Sequence, residues 1–148
     1  MTLTIRPAVA ADAGTIIAFI KALAAYEKLS HEAKASEADI LRDLFGEHPK
    51  AFCDIAEWDG ATAGFALWFY TYSTFQGRHG IWLEDLFVDD AFRNAGLGLE
   101  LMNDLRSRTS GRVEWEVSAG NAGAERFYRK LGAAPREGWT QYRWLPSD

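Results

Sequence analysis

The stretch Ile81-Trp82-Leu83-Glu84-Asp85-Leu86-Phe87-Val88-Asp89-Asp90-Ala91-Phe92-Arg93-Asn94-Ala95-Gly96-Leu97-Gly98, continuing through Leu105, decides how the rest of the chain is read. Residues 81–88 are almost continuously apolar, as in a strand buried on both faces. Glu84 and Asp85 interrupt the run. Successive strand residues point to opposite faces, so at least one of these acids faces an otherwise apolar site. A carboxylate there is costly unless it is paired, solvated or used. Residues 93–98 then lead into a helix. Gly96 and Gly98 carry no side chain that would block a ligand, and the first N–H groups of a helix have no internal partner. With the positive end of the helix dipole and a guanidinium beside them, they form an anion cradle. A bare Gly-x-Gly fits many turns, whereas strand, Arg-x-x-Gly-x-Gly and helix in that order narrow the meaning. No phosphate-binding G-x-x-x-x-G-K-[ST] is present, and Leu101 stands where a dinucleotide fingerprint needs its third glycine.

Downstream, Leu97, Leu101, Met102 and Leu105 make the apolar stripe of a core-facing helix. Residues 112–118 alternate, with Val113, Trp115 and Val117 on one face and Glu114, Glu116 and Ser118 on the other. That pattern predicts a strand, its acidic face being either a solvated edge or a wall for a polyvalent cation. Asn121 suits the N-cap of a helix that carries Ala124, Phe127 and Leu131 on its core face and ends at Gly132. Tyr128 stands one step round from that face, where a half-buried structural tyrosine would sit. Residues 137–139 read as a turn and 140–144 as a last strand.

Upstream, residues 2–6 alternate as a first strand that Pro7 closes. Between Ala10 and Leu29, Ile16, Ile20 and Leu23 recur at helical spacing. That helix ends in Tyr26-Glu27-Lys28, which spacing alone reads as a solvated last turn. Ser36-Glu37-Ala38-Asp39 matches a capping box at the head of a second helix, stopped by Gly46. A strand to Trp58, the hairpin turn Asp59-Gly60 and a partner strand over 63–72 follow, with 73–80 as a loop. The order β, α, α, β, β, β, α, β, α, β is that of a mixed sheet with helices on both faces.

The 148 residues suit a single domain, 1–148, and 48% hydrophobic content with six tryptophans and nine phenylalanines supplies its core. A formal net charge of −5 argues against nucleic-acid binding, which needs a basic face, and suits a cationic substrate. The lone Cys53 lies in an apolar run and reads as a small buried hydrophobe. His31, His48 and His79 lack metal-ligand spacing, so no metal is expected. With no secretory signal or long apolar span in the sequence, the expectation is a soluble, cytoplasmic protein that engages no membrane.

Arg93-x-x-Gly96-x-Gly98 after an apolar strand resembles the acetyl-CoA pyrophosphate loop of the GNAT N-acetyltransferase superfamily. Ile5-Arg6-Pro7-Ala8, Tyr26-Glu27, Phe45-Gly46-Glu47-His48-Pro49, Leu83-Glu84-Asp85-Leu86-Phe87-Val88, Asn121, Phe127-Tyr128, Gly132-Ala133 and Glu137-Gly138-Trp139 resemble its spermidine/spermine (diamine) and thialysine acetyltransferase branch, over nearly the whole chain. The resemblance implies an α/β (mixed α+β) fold: a splayed mixed sheet of six to seven strands flanked by about four helices, forming a homodimer. It implies acetyl-CoA as cosubstrate, in a gap between strands 83–88 and 113–118. The backbone of Leu86, Phe87 and Val88 would pair with the pantetheine amides. The N–H groups of Asn94, Ala95, Gly96, Leu97, Gly98 and Leu99, with Arg93, would hold the pyrophosphate, and Asn121, Ala124 and Tyr128 would complete the coenzyme site. Tyr26, Glu27, Phe75, Glu84, Asp85, Glu114, Glu116, Glu137 and Trp139 would line the amine site.

A primary amine arrives as an ammonium, with a reference pKa near ~10.4, and must lose a proton before it attacks. Glu84 is the expected base, directly or through a water, with a pKa raised by partial burial. Asp85 would hold the distal cation. A strand amide would donate to the thioester oxygen, and Tyr128 would protonate the departing thiolate. Ser73 and Phe75 stand where the polyamine branch carries an acid and a tryptophan, so thialysine, ornithine-like diamines and aminoglycosides stay open beside spermidine. Two other functions compete: a protein or peptide acetyltransferase, which the many acids argue against, and a non-catalytic CoA-binding regulatory module, which an intact Glu84 and Tyr128 argue against.

Overall fold

The computed structural model describes residues 2–147, and its contacts divide the chain into two compact units, Met1–Trp115 and Glu116–Asp148. The first unit holds a five-stranded sheet in sequential order. β1 (Leu3–Pro7), β2 (Phe52–Trp58), β3 (Ala61–Ser73) and β4 (Arg78–Val88) are antiparallel neighbours, and β5 (Val113–Glu114) runs parallel to β4.

Each helix of this unit has a local reason to start or stop where it does. α1 (Ala13–Tyr26) closes with Lys28 in the left-handed region, φ 61°. The Lys28 N–H donates to the Ala25 carbonyl at 3.1 Å and the Leu29 N–H to that of Ala24 at 2.7 Å, the paired bonds of a Schellman motif. α2 (Glu37–Phe45) starts with the capping box that the sequence predicts. The Ser36 hydroxyl accepts from the Asp39 N–H at 3.2 Å, and the Asp39 carboxylate accepts from the Ser36 N–H at 2.9 Å. α3 (Leu97–Ser107) takes Gly96 as its N-cap.

One face of the sheet is covered by α1 and α2. Ile16, Ile17 and Phe19 of α1 and Ile40 and Leu44 of α2 cluster with Cys53, Ile55, Phe65, Leu67 and Phe87. Burial pushes the Cys53 thiol pKa upward, in keeping with its role as a core residue. The other face receives α3, whose Leu97, Leu101, Met102 and Leu105 are all buried. Asp54 of β2 is buried there with partners. It accepts from the Trp68 indole N–H at 2.9 Å and from Arg108, at the C-cap of α3, at 2.8 Å. The Arg108 guanidinium also lies over the Trp68 ring, 5.2 Å from its centroid.

The structure departs from the pattern-based boundaries in three places. The loop expected over 73–80 is four residues, because β3 runs to Ser73 and β4 starts at Arg78. β5 pairs only Ile81 with Val113 and Trp82 with Glu114, short of the strand expected over 112–118. A β-bulge at Glu84 follows immediately in β4, and a bulge breaks the even spacing a parallel ladder needs. The last strand expected over 140–144 is absent: residues 131–147 hold no regular element. Alternation defines two faces, but a strand exists only where a ladder partner is available. The described residues therefore contain five strands, against six to seven expected, in a mixed α/β fold with four helices.

In the second unit, α4 (Ala122–Lys130) is capped by Asn121, whose side-chain oxygen accepts from the Ala124 N–H at 3.1 Å. Phe127 and Tyr128 pack ring on ring at 5.4 Å, and the Arg136 guanidinium lies 4.6 Å above the Trp139 ring.

Candidate active site

The bulge is the feature that builds the site. Leu67 pairs with Asp85, and the next β3 residue, Trp68, pairs with Leu83, so Glu84 is an extra residue without a partner across the ladder. Strict alternation through the Glu84-Asp85 pair therefore fails, and the expectation that Glu84 is partly buried is corrected. Glu84 is exposed. Asp85, in register with the core residue Leu67, is the shielded acid, and its pKa is pushed up to about 6. Burial is the main cause, with the negative charges of Glu84 and Glu27 adding to it.

Glu27 reaches this field because α1 ends beside it. It is the C-cap residue of α1, where the helix dipole already presents its negative end. Three carboxylates and the dipole end thus concentrate negative potential, an arrangement that attracts an ammonium and costs stability while it waits.

Two features next to the acids fit a coenzyme of the expected kind. Beyond Trp82, β4 is hydrogen-bonded to β3 along one edge, while among the described residues no strand pairs with its other edge. Leu86, Phe87 and Val88 lie on this open stretch, where an extended chain of amides can add as a further strand. Gly64 backs it. A Cβ at that position would lie 2.5 Å from the Phe87 carbonyl oxygen, so only glycine lets β3 approach so closely. Sequence reading passed over Gly64; the signal was a glycine within an apolar strand.

The second feature is the loop into α3. Asn94 (φ 65°) and Gly96 (φ 86°) are both left-handed, and the first helical bond is Glu100 N–H to the Gly96 carbonyl at 3.1 Å. Among the described residues, the N–H groups of Asn94, Ala95, Gly96, Leu97, Gly98 and Leu99 donate to no protein acceptor. Six free amides at the positive end of a helix match the needs of a diphosphate.

Arg93 is placed differently from the guanidinium expected beside that cradle. Its Nε donates to the Val88 carbonyl at 3.0 Å and pairs with Asp90 at 3.1 Å. The guanidinium lies 5.2 Å from the Tyr26 ring centroid and 5.8 Å from that of Phe87. It faces the end of α1.

The remaining candidates are more scattered. Glu114 ends β5 in register with Trp82. Phe75 sits at the tip of the β3–β4 hairpin, 95% exposed. Glu116, Asn121, Ala124, Tyr128, Glu137 and Trp139 belong to the second unit, in which Asn121 caps α4 and Tyr128 lies within it.

Comparison with known proteins places the chain in a family. The model of the acetyltransferase (GNAT) family matches residues 17–133. Thialysine N-epsilon-acetyltransferase of Mus musculus is 33% identical over 154 residues, spanning 94% of this chain and 90% of the relative. Spermidine/spermine N(1)-acetyltransferase-like protein 1 of Homo sapiens is 32% identical over 94% of this chain and 22% of its own length. Among solved structures, an integron cassette protein from the mobile metagenome of V. cholerae has a TM-score of 0.79 at 24% identity, covering 99% of this chain and 94% of that one. At that identity the likeness bears on the fold alone.

Proposed function

This chain belongs to the acetyltransferase (GNAT) family, and from that premise we propose that it transfers the acetyl group of acetyl-CoA to a primary amine of a small cationic molecule: a polyamine, a diamine or a lysine analogue. The observation that carries the proposal is the gathering of Glu27, Glu84 and Asp85 in one field beside the open β4 edge and the α3 cradle. A neutral or anionic acceptor would meet only repulsion or indifference there. An ammonium relieves the repulsion among the acids as it binds. The curated relatives named for thialysine and for spermidine/spermine support the same substrate class.

In this reading the acetyl donor lies along Leu86, Phe87 and Val88 with its diphosphate on the amides of residues 94–99. Glu84 takes a proton from the ammonium, directly or through a water. The freed nitrogen attacks the thioester carbon, the N–C bond forms, and a strand amide donates to the oxygen that gains charge. The C–S bond then breaks, Tyr128 donates a proton to the thiolate, and the second proton lost by the new amide nitrogen restores Tyr128 through solvent. Asp85 holds the substrate's second cation. One observation favours a second assignment of the base: the Asp85 pKa, at about 6, suits proton transfer near neutrality, whereas Glu84 is exposed.

The test is release of free CoA thiol from acetyl-CoA across spermidine, spermine, putrescine, thialysine, lysine, ornithine and an aminoglycoside. Turnover of at least one dication, inhibited by salt, is expected. CoA binding without thiol release for any amine would overturn the proposal.

A further inference from the structure

We propose that Arg93 is a positioning residue for the amine site, tying the end of α1 to the coenzyme loop through its stack on Tyr26. The inference rests on the acetyltransferase reading above and adds to it a link between the two substrate sites. Arg93 is the last residue before the cradle amides, and its side chain turns toward the end of α1. Nε is bound to the Val88 carbonyl, Asp90 neutralises the charge, and the planar face covers Tyr26. Both polar contacts are made through Nε, which anchors the arginine to the β4 backbone while its guanidinium lies over the Tyr26 ring.

What the stack does fix is the C-terminal turn of α1. Tyr26 is 59% exposed and Glu27 follows it as the helix cap, with Lys28 in a left-handed conformation that a non-glycine residue adopts at a cost. The contact with Arg93 is the described side-chain partner of Tyr26. Through it, the backbone that carries Glu27 is coupled to Val88 on the open β4 edge and to the left-handed Asn94 next in sequence. Seating a diphosphate on residues 94–99 orders the loop that starts at Arg93, and the stack passes that order to Tyr26 and Glu27. The first substrate thereby prepares the site of the second.

Two measurements test this. In hydrogen exchange, CoA binding to the wild-type protein should slow the amides of residues 24–29, and this slowing should vanish in Arg93→Gln. CoA affinity by calorimetry should stay within about twofold, as expected when no ion pair to the ligand is lost. In steady state, Arg93→Gln and Tyr26→Leu should each raise the amine KM about fivefold, leave kcat within about twofold, and combine non-additively. The effect of Arg93→Gln on the amine KM should shrink when acetylpantetheine, which has no diphosphate to order the loop, replaces acetyl-CoA. Arg93→Lys, which keeps the charge and loses the planar face, should not restore the amine KM.

An Arg93→Gln protein that loses CoA affinity with a reduced salt slope, keeps its amine KM, and is rescued by lysine would overturn the proposal and make Arg93 a diphosphate ligand. Because the exchange and calorimetric readouts need no amine, failure of the acetyltransferase reading would show separately, as a wild-type protein that binds CoA and turns over nothing.

Discussion

Leu67 and Asp85 face each other across β3 and β4, a core leucine in register with a carboxylate. Leu67 belongs to the cluster beneath α1 and α2, so the Asp85 carboxyl is held at the border of an apolar layer with the charges of Glu84 and Glu27 close by. Its pKa rises from 3.8 to about 6. A site of this kind is destabilising until a cation arrives, and that has measurable consequences.

The first concerns stability. Between 3.8 and about 6 the folded protein binds more protons at Asp85 than the unfolded chain does, so stability falls as pH rises through that window. Above about 6 the full penalty is present. Asp85→Asn should therefore stabilise the fold by about 2 kcal/mol near pH 8 and change it little near pH 4. Urea unfolding at the two pH values measures the difference. A variant less stable than wild type near pH 8 would show that the carboxylate is held by favourable partners instead.

The second separates the two candidate bases. If Glu84 takes the proton, Glu84→Gln should lower kcat by a factor of about 10²–10⁴, while Asp85→Asn acts mainly on the amine KM. If Asp85 is the base, Asp85→Asn carries the loss in kcat. In that case the acidic limb of the wild-type profile, where activity disappears as pH falls through about 6, is absent from the variant. Near-normal kcat in both variants, with the fold intact by circular dichroism, would exclude both.

The cradle makes a third prediction. Gly96 has φ 86°, a conformation that costs a side-chain-bearing residue about 1 kcal/mol. Nothing lies within 4 Å of a Cβ built there, so the strain is in the backbone rather than in a clash. Gly96→Ala should lower stability by about that amount. It should also raise the KM for acetyl-CoA about tenfold through misaligned amides, with little change for the amine. An unchanged acetyl-CoA KM would place the diphosphate elsewhere.

A fourth lies away from the acids, beneath α3. Asp54 is 2% exposed and loses its cation in Arg108→Met. Breaking a buried pair from one side costs about 3 kcal/mol. The Asp54 pKa is already pushed up to about 6 by burial even with Arg108 in place, so the carboxyl takes a proton on acidification and the penalty fades. The loss should be large near pH 8 and small near pH 4, by the same linkage. Denaturant melts of the variant and wild type at both values check it.

Much of the molecule was legible in the residues. The capping box at Ser36, the hairpin at Asp59-Gly60, the α3 stripe and the Asn121 cap are local devices. Each depends on side chains within a few positions of one another, and each stands where the pattern put it. The Arg-x-x-Gly-x-Gly loop is local in the same way, which is why its free amides could be anticipated. The expectations that failed depend on partners distant in the chain. Residues 140–144 alternate like a strand and have no ladder, and 115–118 do likewise after the β4 bulge.

The amino-acid order alone determined which chemical groups are present and which short-range structures they form: an acid pair in an apolar strand, a bare-amide loop, a helix ending in Tyr26-Glu27. Only the tertiary structure decided which acid is shielded and which way the arginine turns. A single extra residue at Glu84 resets the register against β3, which places Asp85 opposite Leu67 and leaves Glu84 in solvent. The end of α1, far earlier in the chain, supplies both one of the charges beside Asp85 and the ring that stacks on Arg93. Neither contact leaves a trace in local spacing, because each exists only once the sheet has brought its strands into register.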